Sequence, residues 1–178
     1  EEAGKWIGSK KGKPFFLSLP LSSPHTPIVP SKPWQGKSDI GKYGDFLMET
    51  DWVVGQVLHA LDRNRLAKDT IVIFATDNGC SPAAKIPELV AKSHKPNADW
   101  RGHKADIFEG GHRVPFLFRW PDKVAVGSTS GQTICTADLF ATVADVLDKS
   151  ENIPANAAED SFSFLPPPPI ESINLLGK

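Results

Sequence analysis

The most regular hydrophobic pattern in the chain covers residues 39–64. Side chains on one face of this segment recur at spacings of three and four, which predicts an amphipathic helix with its apolar face in the core. Residues 137–148 have the same periodicity and predict a second helix, with Thr136 as its N-cap. The positions on the face of the longer helix are Phe46, Leu47, Thr50, Val53, Val54, Val57, Leu58 and Leu61.

Three short apolar runs without polar alternation indicate buried strands, at residues 15–19, 71–76 and 114–120. The run 71–76 is rich in β-branched residues and suits a central parallel strand covered on both faces. It follows the predicted helix 39–64, and a helix followed by a buried strand is typical of α/β proteins. The pattern therefore predicts an α/β fold.

Long loops separate these elements. Five prolines between residues 20 and 33 indicate a stiff, non-helical loop after the first predicted strand. Residues 77–113 lack strong periodicity, apart from a short helix near 87–92, and loops of that length are usually functional or disordered. The four consecutive prolines at 166–169 favour an extended polyproline conformation.

Composition excludes several classes of protein. The 178 residues include 20 basic and 21 acidic side chains, and a net charge of −1 argues against a nucleic-acid-binding protein. No apolar run approaches the roughly 18 residues that a membrane span needs. Cys80 and Cys135 can form at most one disulfide bridge, and we favour two unpaired thiols.

Hard oxygen donors follow the predicted strand 71–76 directly, in the sequence Thr76-Asp77-Asn78-Gly79. Ligands of open α/β sheets bind beyond the carboxyl ends of the strands. The Asp77 carboxylate and the Asn78 amide oxygen suit Ca²⁺ or Mg²⁺ rather than a soft metal. Asp-Asn-Gly is also one of the commonest turn sequences, so an ordinary turn is the alternative interpretation.

Charged side chains are concentrated in residues 102–113, which contain two histidines, a lysine, an arginine and two carboxylates. Lys104 beside a metal can bind a tetrahedral anion and stabilise charge as it develops. Elsewhere, His25 lies between Pro24 and Pro27, and its imidazole can accept a proton, donate one or bind an anion. The alternative interpretations are a solvated charged loop and a surface histidine.

Four segments, taken in chain order, resemble the sulfatase family, in the arylsulfatase A-like branch of the alkaline phosphatase superfamily. They are PFFLSLPLSSPHTPIVP, YGDFLMETDWVVGQVLHALDRNRLAKDTIVIFATDNG, GHKADIFEGGHRVPFLFRWPDKVAVGS and TADLFATVADVLD, within residues 14–165. The resemblance implies part of a mixed, mostly parallel sheet flanked by helices. It also implies an enzyme that cleaves sulfate esters of small molecules or carbohydrates.

The resemblance assigns roles to four residues. Asp77 and Asn78 are expected to be ligands of Ca²⁺, with Mg²⁺ as the alternative metal. Lys104 is expected to contact both the sulfate and the nucleophile, and His25 the sulfate or the leaving-group oxygen. The resemblance gives no firm catalytic role to His103, Glu109, His112 and Arg113, so we expect them to be structural or to support the site residues.

One part of the family's site has no counterpart in these 178 residues. Family members carry a C/S-x-P-S-R motif, N-terminal to the region matched here, whose Cys or Ser is converted to the nucleophile formylglycine. Cys80 is followed by SPAAK and Cys135 by TADLF, so neither lies in such a motif. We therefore expect residues 1–150 to be a partial catalytic domain, residues 151–178 an irregular proline-rich tail, and the chain alone to be inactive.

Two other functions fit the same residues. A phosphonate or phosphodiester hydrolase of the same superfamily shares the metal segment and differs in its nucleophile. A non-catalytic binding module keeps the fold, but it need not retain Asp77, Asn78, Lys104 and His25 together. Family members usually act outside the cytoplasm, so the resemblance implies a periplasmic or secreted location, while the oligomeric state is left open.

Overall fold

A computed structural model describes residues 1–10, 12–121 and 123–165. Its internal contacts divide the chain into two units, Glu1–Val126 and Gly127–Lys178. The predicted division after residue 150 stays a prediction. The proline run at 166–169 lies outside the described residues.

The core of the first unit forms where α1 (Glu2–Gly8) packs on α2 (Lys42–Arg63). Ile7 of α1 is buried against Ala60 and Leu61 of α2. The helix predicted for residues 39–64 is confirmed, and it begins at Lys42 because Gly41, at φ +87°, adopts a backbone conformation that a helix cannot include. The partly buried residues around this core are Trp6, Phe15, Leu17, Val57, Leu66, Ala67 and Val72.

Asp45 fixes the loop that leads into α2. Its two carboxylate oxygens accept hydrogen bonds from the backbone N–H groups of Gly36, Lys37 and Ser38, at 2.8, 2.9 and 2.7 Å. These donors, led by Gly36 and Ser38, hold the pKa of the Asp45 carboxyl below its usual range. The loop therefore depends on a charged Asp45.

A two-stranded antiparallel sheet pairs β1 (Val72–Ala75) with β2 (Phe116–Arg119). Both strands predicted, at 71–76 and 114–120, are formed, but the burial expected of them is wrong: β1 is half-buried along its length, and β2 alternates between half-buried and exposed residues, with Leu117 63% exposed. The parallel pairing expected for the first of them is wrong in the part of the chain that the structure describes, because β1 pairs there with β2 alone. An apolar run favours a strand, but the burial and direction of that strand depend on which neighbours it meets.

The strand predicted at residues 15–19 is not formed in the described chain. Phe15 and Leu17 pack against the core of the first unit, whereas Phe16 is 78% exposed and Leu19 is also exposed. Alternate side chains thus lie on a covered side and an open side. Neither described strand pairs with this segment, and an extended segment needs such a neighbour to become a strand.

Two short helices lie in the long segment after β1: α3 (Ile86–Ala91), as predicted near 87–92, and α4 (Glu109–His112). The helix of the second unit, α5 (Asp138–Val146), confirms the prediction for 137–148. None of the described helices is long and apolar enough to cross a membrane.

The predicted N-cap of α5, Thr136, is wrong. The helix begins after Ala137, which makes no side-chain cap, and the buried Asp138 carboxylate accepts from the backbone N–H groups of Cys135 and Phe162, at 2.8 and 2.9 Å. A contact between residues 138 and 162 depends on tertiary structure. Local sequence therefore gave no sign of it.

Candidate active site

Asp77 and Asn78 lie immediately beyond the carboxyl end of β1, as the sequence predicts. Asp77 is exposed and Asn78 is half-buried. The Thr76 hydroxyl donates to the Asn78 carbonyl at 3.2 Å, and the Asn78 side-chain amide donates to the Gly79 carbonyl at 3.1 Å. The turn therefore orients the Asn78 side chain while Asp77 faces solvent.

The turn after β1 lies directly against α4. The Gly79 N–H donates to the Gly111 carbonyl at 2.9 Å. A Cβ atom on Gly79 would lie 1.8 Å from the Gly110 carbonyl oxygen, and one on Gly110 would lie 2.3 Å from that of Gly102. Only residues without side chains permit this backbone approach, which explains the glycines at both contact points.

Lys104 is held to the same turn by backbone bonds. Its N–H donates to the Cys80 carbonyl at 3.0 Å, and the Cys80 N–H donates to the Asn97 Oδ1 at 2.8 Å. The Asn97 Nδ2 in turn donates to the Gly102 carbonyl at 3.0 Å. The link between Lys104 and the Asp77–Asn78 pair thus passes through Cys80.

His25 meets Lys104 although 79 residues separate them in sequence: their Nε2 and Nζ atoms are 3.4 Å apart. The His25 Nδ1 is 2.8 Å from the Thr26 carbonyl oxygen, which can only accept, so Nδ1 carries the ring proton. The Nε2 lone pair then faces the Lys104 ammonium. This arrangement places the half-buried Lys104 ammonium beside the exposed His25 imidazole, where the two groups can contact an anion.

Helix α2 holds the His25 loop on both sides of the histidine. The Thr50 hydroxyl donates to the Ser23 hydroxyl at 2.9 Å, and the Ser31 N–H donates to the Glu49 carboxylate at 2.9 Å. Both contacts join residues far apart in sequence. The helix, rather than the prolines alone, therefore determines where His25 lies.

A family model described as Sulfatase matches residues 1–149. The chain belongs to the sulfatase family. Steryl-sulfatase from Homo sapiens is 39% identical over 146 residues, which cover 80% of this chain and 24% of that protein. The N-acetylgalactosamine-6-O-sulfatase of Bacteroides thetaiotaomicron is 34% identical over 167 residues, which cover 92% of this chain and 32% of that protein.

The comparison with solved structures confirms the α/β, alkaline phosphatase-like fold class. A Bacteroides thetaiotaomicron structure, described in connection with the metabolism of multiple glycosaminoglycans, aligns with a TM-score of 0.82 at 34% identity. The alignment covers 92% of this chain and 34% of that one. The chain thus spans about a quarter to a third of the length of the sulfatases that it matches.

Sulfatase membership implies a metal ion, and the turn after β1 carries the two residues predicted to bind it. Asp77 and Asn78 offer hard oxygen ligands, which fit Ca²⁺. Within residues 1–10, 12–121 and 123–165, no group of three or more His, Cys, Asp or Glu side chains could hold a metal ion. Ca²⁺ takes six to eight oxygens, so an ion held by Asp77 and Asn78 would need further ligands.

The remaining charged residues of 102–113 pair with one another. The Glu109 carboxylate pairs with Arg113 and lies 3.5 Å from His112, and the hydrogen bond from Arg113 lowers the pKa of Glu109. The Arg113 guanidinium also lies over the Trp100 ring, 4.3 Å from its centroid. These contacts stabilise the loop that carries Lys104, in keeping with the structural role expected for them.

Three residues beside the turn were not singled out as site residues by the sequence. The Cys80 thiol donates to the Tyr43 hydroxyl at 3.4 Å, and burial raises the pKa of both groups. Asn97 is the third, and it joins two loops. Their partners lie far away in sequence, so no periodicity or spacing marks them.

Cys80 and Cys135 are both free thiols, as the sequence predicts.

Proposed function

We propose that the natural protein containing this sequence is a sulfuric ester hydrolase, and that these residues supply its anion-binding lysine and histidine and part of its metal site. The observation that carries the proposal is the 3.4 Å contact between His25 and Lys104, with Lys104 bonded to the turn that carries Asp77 and Asn78. Three motifs that are distant in sequence therefore serve one anion.

The chemistry follows from the charge of the substrate. Hydrolysis of a sulfate ester breaks a sulfur–oxygen bond, so negative charge develops on the sulfuryl oxygens and on the departing alcohol oxygen. The Lys104 ammonium withdraws charge from the sulfuryl oxygens. His25, once it carries a proton on Nε2, donates that proton to the departing oxygen, which leaves as an alcohol.

Asp77 and Asn78 are the residues of this chain that would hold Ca²⁺, with Mg²⁺ as the alternative. When bound, a divalent cation supplies Lewis-acid stabilisation of the sulfuryl oxygens. The formylglycine nucleophile and the other metal ligands belong to parts of the site outside these 178 residues. The chain alone is therefore proposed to be inactive.

The names of the relatives guide the choice of substrate. They include steryl-sulfatase and N-acetylgalactosamine-6-O-sulfatase. We extend the proposal to sulfate esters of small molecules or carbohydrates, hydrolysed in the periplasm or outside the cell.

The test compares three kinds of ester on the natural protein. Purified protein is supplied with an aryl sulfate, a sulfated N-acetylhexosamine and an aryl phosphodiester, and the release of sulfate or phenol is measured. The proposal expects turnover of at least one sulfate ester in preference to the phosphodiester. Preference for the phosphodiester would assign the protein to another activity of the superfamily.

The same assay on the isolated 178-residue chain tests the division of the site. That chain contains no C/S-x-P-S-R motif, and it has only two predicted metal ligands. It is therefore expected to release no sulfate above the uncatalysed rate. Metal-dependent turnover by the isolated chain would show that it contains a complete site.

A further inference from the structure

One side chain joins the turn after β1 to the loop that carries Lys104. The Asn97 Oδ1 accepts from the Cys80 N–H at 2.8 Å, and its Nδ2 donates to the Gly102 carbonyl at 3.0 Å. Cys80 follows the Asp77–Asn78 pair closely, and Gly102 lies two residues before Lys104. A single amide therefore spans the two halves of the candidate site.

The orientation of this amide is determined by its neighbours. A backbone N–H can only donate and a backbone carbonyl can only accept, so the oxygen must face Cys80 and the nitrogen Gly102. The same oxygen lies 3.1 Å from the position of a Cβ on Gly79, so it packs closely against the turn. Asn97, Cys80 and Gly102 are all half-buried, so removal of this amide would leave two partly covered backbone groups without their partner.

We propose that Asn97 is a positioning residue, which sets the location of Lys104 relative to the Asp77–Asn78 pair. The inference rests on the proposed function, in which the Lys104 ammonium and a metal ion at Asp77 and Asn78 must lie close enough to contact one sulfate group. Asn97 itself does not reach the anion, since both ends of its amide bond the backbone. It acts by keeping the two loops in register.

Two backbone bonds also join the turn after β1 to the segment that carries Lys104. The Lys104 N–H donates to the Cys80 carbonyl at 3.0 Å, and the Gly79 N–H donates to the Gly111 carbonyl at 2.9 Å, each at a single point. Asn97 adds the link from Cys80 to Gly102. Without Asn97, the Cys80 N–H and the Gly102 carbonyl lose their hydrogen-bond partner, and the loops can shift until both groups bond to water instead.

The test uses two substitutions of Asn97 in the natural protein. Asn97→Ala removes both bonds. Asn97→Asp keeps an acceptor for Cys80 but replaces the donor to Gly102 with an oxygen that the Gly102 carbonyl repels. The control is Asn64→Ala, since Asn64 is also half-buried and donates one bond, to the Ala60 carbonyl at 2.8 Å, at the far end of α2.

The first measurement is hydrogen–deuterium exchange of the backbone, which does not depend on activity. Asn97→Ala is expected to speed exchange at the amides of Cys80 and Lys104, while Asn97→Asp speeds exchange at Lys104 and leaves Cys80 protected. Unchanged exchange at both amides in Asn97→Ala would overturn the proposal. The exchange experiment tests the role of Asn97 whether or not the wild-type protein hydrolyses a sulfate ester. Absence of that hydrolysis would count against the proposed function alone.

The second measurement separates kcat from KM for a sulfate ester. Misplacement of a catalytic group by about 1 Å costs up to roughly 100-fold, so Asn97→Ala is expected to lower kcat by about 10- to 100-fold with little change in KM. Asn64→Ala is expected to lower thermal stability without lowering kcat. Equal effects of Asn97→Ala and Asn64→Ala on kcat would reduce Asn97 to a structural role and overturn the proposal.

Discussion

At the scale of single residues, Asp45 shows how a buried carboxylate links charge to structure. Its side chain is only 3% exposed, and three backbone N–H groups face it. Hydrogen bonds to the charged form hold its pKa below the usual value. In the unfolded chain this pKa returns to about 3.9.

The depressed pKa makes a prediction about pH. Because the unfolded state binds a proton more readily, the stability that Asp45 contributes is present above about pH 4 and is lost as the pH falls through its folded pKa. Asp45→Asn should lower the stability of the natural protein at pH 7 and flatten its decline below pH 4. Urea unfolding at several pH values measures both, and an unaltered decline would contradict the assignment.

Motifs predict four site residues, His25, Asp77, Asn78 and Lys104, and their roles stay predictions. Residue type and local order indicate the chemistry of these residues, and the structure brings His25 and Lys104 into contact. Asn97 was not found, because an asparagine in a loop is common and its value depends on Cys80, 17 residues earlier. Residues that position others leave little signal in a single sequence.

At the scale of elements, the turn after β1 and helix α4 form a unit through close backbone contact. Gly79 and Gly110 permit this contact because neither has a side chain. The two residues are 31 positions apart in the chain. The glycine content of these loops therefore serves the approach of two elements rather than flexibility.

The close approach predicts the effect of Gly79→Ala. The new methyl group would overlap the Gly110 carbonyl oxygen, and relief requires backbone movement, which costs about 1–3 kcal/mol of stability. The same substitution at Gly55 is the control, since nothing lies near its Cβ position in α2 and alanine there should stabilise the helix by about 0.5–1 kcal/mol. Thermal or urea unfolding of the natural protein measures both. Equal stability of the two variants would contradict the packing described for Gly79.

The elements show what periodicity can and cannot predict. α2 and α5 were predicted because a helix repeats every 3.6 residues within one segment. The direction of β1 and the state of residues 15–19 depend on neighbours elsewhere in the chain, so hydrophobicity alone gave the wrong pairing and a strand that is not formed. The N-cap predicted for α5 is also wrong, because the helix begins after Ala137 rather than Thr136.

At the scale of the whole molecule, the chain belongs to the sulfatase family and spans about a quarter to a third of the length of its relatives. The family match covers residues 1–149, and the relatives are about three to four times longer than the matched region. Membership of the family was predicted from four segments in order, which together are specific although each is short. Which parts of the site these residues supply, and which parts come from outside them, stays a proposal.

The metal site proposed at Asp77 and Asn78 predicts a response to metal removal. Dialysis of the natural protein against a chelator should abolish hydrolysis of a sulfate ester, and Ca²⁺ should restore it. Asp77→Asn should raise the Ca²⁺ concentration needed for half-maximal activity by about tenfold or more. Asp69→Asn, at another exposed aspartate, should leave that concentration unchanged. Full activity of the chelated protein would contradict the metal site.

The central claim is that Lys104 contacts the sulfate group at a site shared with His25 and the turn after β1. Measurement of kcat/KM for a sulfate ester in Lys104→Ala tests it most directly, with Lys68→Ala, at an exposed lysine away from the turn, as the control. Loss of a charge-stabilising donor predicts a decrease of about 100- to 1,000-fold in Lys104→Ala alone. Wild-type kcat/KM in Lys104→Ala would contradict the account.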